Sequence, residues 1–127
     1  MKRKGLAVFL LIVLISALAF TGCTRKLMWV ENSGRDHIQA TYKRFTGIEK
    51  KTIRLEEGDN LVIDYESEVT EGTLSLTLTD PDGNEIMSLQ SDTEGTQKVD
   101  APESGRYTLW IEGDKTGGSF EIEWRIE

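Results

Sequence analysis

The stretch Phe120-Glu121-Ile122-Glu123-Trp124-Arg125-Ile126-Glu127 decides the fold class of this 127-residue chain. Apolar and charged residues alternate through it without a break. In an extended strand, Phe120, Ile122, Trp124 and Ile126 project to one face and Glu121, Glu123, Arg125 and Glu127 to the other. An amphipathic helix would repeat its apolar residues every three or four positions instead. A strand with one dry face must be covered by a second layer.

Working back from this stretch, the same period recurs. Tyr107–Glu112 sends Tyr107, Leu109 and Ile111 inward. Leu74–Thr79 alternates Leu74, Leu76 and Leu78 with Ser75, Thr77 and Thr79. Leu61–Ser67 places Leu61, Ile63 and Tyr65 opposite Asp64 and Glu66. Ile38–Phe45, Lys51–Leu55, Ile86–Gln90 and Gln97–Asp100 complete about eight strands. Turn chemistry separates them: Glu57-Gly58-Asp59-Asn60, a break at Glu71-Gly72, Asp80-Pro81-Asp82-Gly83 with Pro second and Gly fourth, Pro102-Glu103-Ser104-Gly105, and a loop over Gly113–Gly118. Nothing after Cys23 shows helical spacing. The spacing predicts an all-β domain over residues 37–127, an antiparallel β-sandwich of jelly-roll or Ig-like order, with a closed barrel as the alternative.

Three segments together resemble a known family: Leu74-Ser75-Leu76-Thr77-Leu78-Thr79-Asp80-Pro81-Asp82-Gly83, then Ala101-Pro102-Glu103-Ser104-Gly105-Arg106-Tyr107-Thr108-Leu109, then Gly118-Ser119-Phe120-Glu121-Ile122. They are similar to the pre-peptidase C-terminal-like jelly rolls found beside secreted bacterial peptidases, whose rhythm CUB-like and GOLD-like sandwiches share. The resemblance covers roughly residues 50–127. It implies a non-catalytic binding or accessory module, and some relatives bind calcium or extracellular polymers.

The other end of the sequence speaks to location. Lys2-Arg3-Lys4 precedes an apolar run from Leu6 to Phe20, followed by Thr21-Gly22-Cys23. A basic start, an apolar middle and a small-residue end make a secretory signal peptide. As a helix, the run would reach roughly 22 Å, short of a ~30 Å hydrocarbon core, which favours a cleaved leader over an anchor. Phe20-Thr21-Gly22-Cys23 resembles a bacterial lipoprotein box, with Phe20 where the family has an aliphatic residue. The resemblance implies that residues 1–22 are removed and that Cys23, the only cysteine, carries fatty acyl lipid. Residues 23–36 would then form a short tether, with Arg25 and Lys26 among the headgroups. The expected location is the extracytoplasmic side of the cell membrane.

Charge narrows the partners. The 105 residues from Cys23 onward carry 12 Lys or Arg and 22 Asp or Glu, a net charge of −10. A nucleic-acid partner is excluded, because phosphate binding needs a positive surface. The same balance argues against the domain lying flat on an anionic membrane. With Cys23 modified, no thiol remains for disulfide, redox or thiolate-metal chemistry.

Several side chains invite chemistry. Asp80, Asp82 and Asn84 are spaced like the first ligands of a calcium loop, but glycine stands at the fourth position and Ser91 at the twelfth, so a hairpin turn is the simpler expectation. Glu56, Glu57 and Asp59, with Asp64, Glu66 and Glu68, offer hard-cation ligands or a solvated acidic face. No cofactor is required, with calcium the one candidate. His37 is the only histidine and lacks an evident nucleophile partner. Paired carboxylates could serve a hydrolase, yet so many acids make pairs inevitable. Trp110 lies between inward Leu109 and Ile111, so it should face outward. There it could stack on a sugar ring or anchor a protein partner, unless Met28 or Trp29 covers it. Leu27-Met28-Trp29-Val30 is expected to form a first edge strand or to pack over the end of the core, since four adjacent apolar residues are rarely left in water, with Trp29 resting in the lipid headgroup region as the alternative. These observations favour a lipid-anchored, non-enzymatic binding module for envelope polymer or a protein partner. A calcium-stabilised module and a carboxylate-dependent hydrolase are the alternatives.

Overall fold

The computed structural model describes residues 24–127, and all secondary structure among them is strand. Seven strands follow in chain order: β1 (Arg25–Leu27), β2 (Val30–Ser33), β3 (His37–Leu55), β4 (Asn60–Thr79), β5 (Glu85–Leu89), β6 (Glu94–Asp100) and β7 (Gly105–Ile126). All pairings are antiparallel. β7 lies between β3 and β4 along its length; β1 and β2 pair with β3, and β5 and β6 with β4. The proposed leader and Cys23 lie outside the described residues.

Three very long strands replace six of the expected short ones. β3 joins the runs at 38–45 and 51–55, β4 those at 61–67 and 74–79, and β7 those at 107–112 and 120–126. Each expected run is present as a strand, and the segments between them are irregularities rather than loops. The β3–β7 register shifts between Tyr42 and Gly47, and the β4–β7 register between Val69 and Thr73. Bulges bend a strand and sharpen its twist. The three strands therefore pass from one layer of the sandwich to the other at a common corner. Glycine makes the corner possible. Gly72 has φ +67° and a Cβ there would strike the carbonyl oxygens of Asp114 and Lys115, while Gly118 has φ +132° and would strike that of Glu68.

The alternation sets the core. Ile38, Ala40, Leu61, Ile63, Phe120 and Ile122 from one half meet Ile53, Leu55, Leu74, Leu76, Leu78, Tyr107, Leu109 and Ile111 from the other in one cluster. Ile126 departs from the expected inward phase: it is 51% exposed where β7 runs out of cover. Val62, on the opposite side of β4 from Leu61 and Ile63, is nevertheless fully buried between Lys98 and Arg125 of the flanking strands. The buried hydroxyls of Tyr42 and Thr116 lie near one another at the corner without hydrogen-bond geometry, and burial pushes the Tyr42 phenol up.

The entry segment forms edge strands, β1 and β2, as expected, but only part of its apolar surface packs on the core. Trp29 does pack, stacking on Tyr42 with centroids 5.4 Å apart and meeting Phe45 at 5.1 Å and Phe120 at 6.0 Å. Its three apolar neighbours do not: Leu27 is 50% exposed, Met28 72% and Val30 71%. Met28 has φ +54°, which turns the chain between β1 and β2. Leu27 and Val30 pair with Arg44 and Thr41, both exposed, so the register puts them on the outer side of the sheet.

Candidate functional site

Trp110 sits on the outer face of the layer built from the second half of β3, the first half of β7 and the second half of β4. Its register partners are Lys50 and Thr77. The indole is half-buried and its direction is fixed. Nε1–H donates to Thr79 Oγ1 at 2.8 Å, and the Lys50 ammonium stands 5.5 Å from the ring centroid. Among the described residues the N-terminal segment does not cover it: Met28 is 72% exposed, and Trp29 is committed to the aromatic cluster around Tyr42, Phe45 and Phe120. Beside the ring is a shallow depression of about 330 Å³ lined by Trp110, Thr77, Thr79, Gly83, Glu85 and Glu112. An indole held edge and face, ringed by hydroxyls and carboxylates, can offer an apolar platform with hydrogen-bonding groups at its rim.

A second constellation forms where two turns meet. In the β4–β5 turn, Asp80 Oδ1 accepts from the backbone N–H groups of Asp82 (3.0 Å) and Asn84 (2.9 Å), the hairpin geometry expected from the sequence. In the β6–β7 turn, the buried Tyr107 hydroxyl donates to the Glu103 carbonyl at 2.6 Å. Gly105 lies close against Pro81, so the two turns abut. Asp80, Asp82 and Glu103 are thereby gathered with carboxylate oxygens within 4.8 Å of one another. A hydrogen bond with Asp82, then burial and the charges of Asp82 and Asp80, push the Glu103 carboxyl up. Spacing along the chain suggested Asp80, Asp82 and Asn84; Glu103 arrives from another turn, and no spacing rule could have supplied it.

The remaining acids divide. Asp64, Glu66, Glu94, Glu121 and Glu123 line a groove of about 470 Å³ across β6, β4 and β7. Glu66 lies directly opposite both Glu94 and Glu121, a like-charge arrangement that costs stability. Asp64 is compensated: Thr96 donates to it at 2.6 Å and Arg125 at 2.5 Å, and these contacts hold its carboxyl below the ordinary range. Glu56, Glu57 and Asp59 stay in the β3–β4 turn, where Asp59 accepts from the Glu56 backbone N–H at 2.8 Å. They do not join the groove acids in a cation site. His37 contacts Asp36 at 3.1 Å, while nearby Ser33 donates to Glu31 at 2.9 Å, so no nucleophile–base pair forms there.

Neither known protein families nor curated protein sequences give a match to this chain. Solved structures do. The pre-peptidase C-terminal domain of collagenase from Bacillus anthracis matches at 16% identity and TM-score 0.50, over 70% of this chain and 87% of that one. A CBM4 structure matches at 10% identity and TM-score 0.50, over 82% and 78%. PliG, a periplasmic inhibitor of g-type lysozyme from Aeromonas hydrophila, matches at 16% identity and TM-score 0.48, over 76% and 93%. At these identities the likeness establishes the fold, a β-sandwich similar to the pre-peptidase C-terminal domain.

Proposed function

We propose that this protein is a non-catalytic binding module, held on the extracytoplasmic side of a bacterial cell membrane by lipid on Cys23. It takes a cell-envelope polymer or a protein partner on the sheet face that carries Trp110. The observation behind this reading is the state of the indole: half-exposed, uncovered by the N-terminal segment, and locked in direction by Thr79 and Lys50. A rigid aromatic ring at a polar-rimmed surface anchors a ligand at small entropic cost. The likeness of the fold to a CBM4 structure agrees with it.

The test is a binding comparison between the native chain and Trp110→Ala on purified envelope polymers and on envelope extracts. Loss of an anchoring aromatic costs about 2 kcal/mol or more, a fall of roughly thirtyfold in affinity. Unaltered binding by a folded Trp110→Ala chain would move the site elsewhere. A second reading, a module stabilised by calcium, draws on the convergence of Asp80, Asp82 and Glu103. Millimolar calcium would then raise the melting temperature and chelator would lower it, because an ion bound only to the folded state stabilises by mass action.

A further inference from the structure

The net charge of the chain conceals a segregation. Residues 24–54 carry eight Lys or Arg against three Asp or Glu; residues 55–127 carry four against nineteen. The first group is β1, β2, the turn after β2 and nearly all of β3, and these strands form one side of the sheet, with β4, β5 and β6 beyond β7 on the other. The protein is thus basic along the edge from which the chain leads back to Cys23, and acidic on the far side, where the Asp64–Glu66–Glu94 groove lies.

The exposed apolar side chains follow the same division. Leu27, Met28, Val30 and Ile48 are four of the five large apolar residues left in water among the described residues, and all four lie in the basic segment. The register brings them to one corner. Leu27 is paired with Arg44, Arg25 with Thr46, and Gly47, beside Ile48, lies against Thr24. Three acids here are engaged, while Glu112 lies opposite Ile48 in the register. Glu31 accepts from Trp29 and Ser33, Glu49 pairs with Lys26, and Glu71 faces Arg44 at 3.8 Å.

We infer that this corner is a membrane-contact surface: Leu27, Met28 and Val30 enter the headgroup region of an anionic bilayer while Arg25 and Arg44 meet lipid phosphates. Apolar side chains flanked by cationic ones suit that boundary, and each basic residue adds attraction to anionic lipid. The occupant follows from position. Thr24 at this corner is one residue from Cys23 and four from the end of the apolar run at Phe20, so a chain anchored as proposed above cannot hold the corner far from lipid. The acidic remainder is repelled by the same surface and faces away, which orients the acidic groove toward the envelope. The overall acidity, which argued against any flat contact with an anionic membrane, therefore applies to the far side of the molecule and not to this edge.

The inference rests in part on the anchoring reading, and one experiment separates the two. The full-length chain is reconstituted in vesicles of mixed phosphatidylglycerol and phosphatidylcholine. An environment-sensitive fluorophore is placed on Met28→Cys or, as a control on the far edge, Ser88→Cys. The expected result is a blue-shifted probe at position 28, quenched by spin-labelled lipid, and a water-exposed probe at 88. The response at 28 should weaken in pure phosphatidylcholine and when Arg25 and Arg44 are replaced by Glu. Equal exposure of the two probes overturns the inference. So does a blue shift at 28 that appears without vesicles and grows with protein concentration, since a second copy of the chain would then cover the corner. Labelling of the unsubstituted chain reads the anchor separately: a reactive thiol at Cys23 refutes lipidation, and the lipid quenching at position 28, then measured with Cys23→Ser added so that only position 28 is labelled, still decides whether the corner touches the bilayer.

Discussion

Trp29→Ala should unlock the N-terminal edge. Trp29 meets three core aromatics, stacking on Tyr42 at 5.4 Å and lying 5.1 Å from Phe45 and 6.0 Å from Phe120. Such pairs contribute about 0.5–1.5 kcal/mol each beyond the burial itself. Complete truncation of a fully buried tryptophan costs about 3–5 kcal/mol, and this ring keeps part of its surface in water. The expected loss is therefore about 2–4 kcal/mol, a fall in melting temperature of roughly 10–25 °C for a domain of this size. Trp29→Phe should keep most of the stacking and give up only the exposed hydrogen bond to Glu31, for less than about 1 kcal/mol. The measurement is urea unfolding followed by near-ultraviolet circular dichroism, with amide exchange resolved by residue. Because β1 and β2 pair only with β3, their amides should lose protection first, while β7, paired on both sides, keeps its own. A loss below about 0.5 kcal/mol for Trp29→Ala, or unchanged protection in β1 and β2, would refute the claim that this ring fastens the edge to the core.

Three further outcomes follow from the geometry. Gly118→Ala should cost about 2–3 kcal/mol or prevent folding, because the new Cβ meets the Glu68 carbonyl at φ +132°; a urea midpoint within error of the native one would show that the corner can relax. Asp64 has its carboxyl lowered by Thr96 and then Arg125, so its contribution is present above the ordinary value of 3.8 and is lost as pH falls below it; Asp64→Asn should flatten that acid limb of the stability curve, and an unchanged limb would remove Asp64 from it. Glu103 is shifted the opposite way, so proton uptake stabilises the fold as pH falls through its raised value toward 4.5; Glu103→Gln should raise the melting temperature near neutral pH and abolish that gain, and a variant melting lower than the native chain would contradict the repulsion.

The sequence carried the phase of nearly every strand but not the strand lengths. Period-two alternation specifies which face Leu74, Leu76 and Leu78 take, and the structure buries all three. It does not say whether Glu71-Gly72 or Gly113–Gly118 ends a strand or bends it, because a bulge and a turn demand the same residues: glycine where φ is positive, and short polar side chains around it. Only the pairing of β7 with both neighbours reveals that the chain continues through the corner. The outward direction of Trp110 was legible from alternation, whereas its fixed orientation depends on Thr79, which lies 31 positions away in the chain. Ile126 shows the limit of alternation, which assigns a side but not what lies on that side.

The Leu27–Val30 segment shows why burial cannot be inferred from hydrophobicity alone. Four consecutive apolar residues looked too costly to expose, yet a strand edge offers cover to only one side of the chain, and the turn at Met28 spends that cover on Trp29. The other three remain in water unless something outside the domain meets them. Their neighbours are cationic, the charge of the molecule falls off to strongly acidic on the opposite side, and the chain returns toward Cys23 from the same corner. If lipid on Cys23 anchors the chain as proposed, a bilayer lies beside this edge at no further cost in translational freedom, whereas a protein partner would have to be recruited to it. The exposure that looks like an error of packing in an isolated domain thus becomes consistent with it once the membrane is counted as one of the solvents the surface has to match.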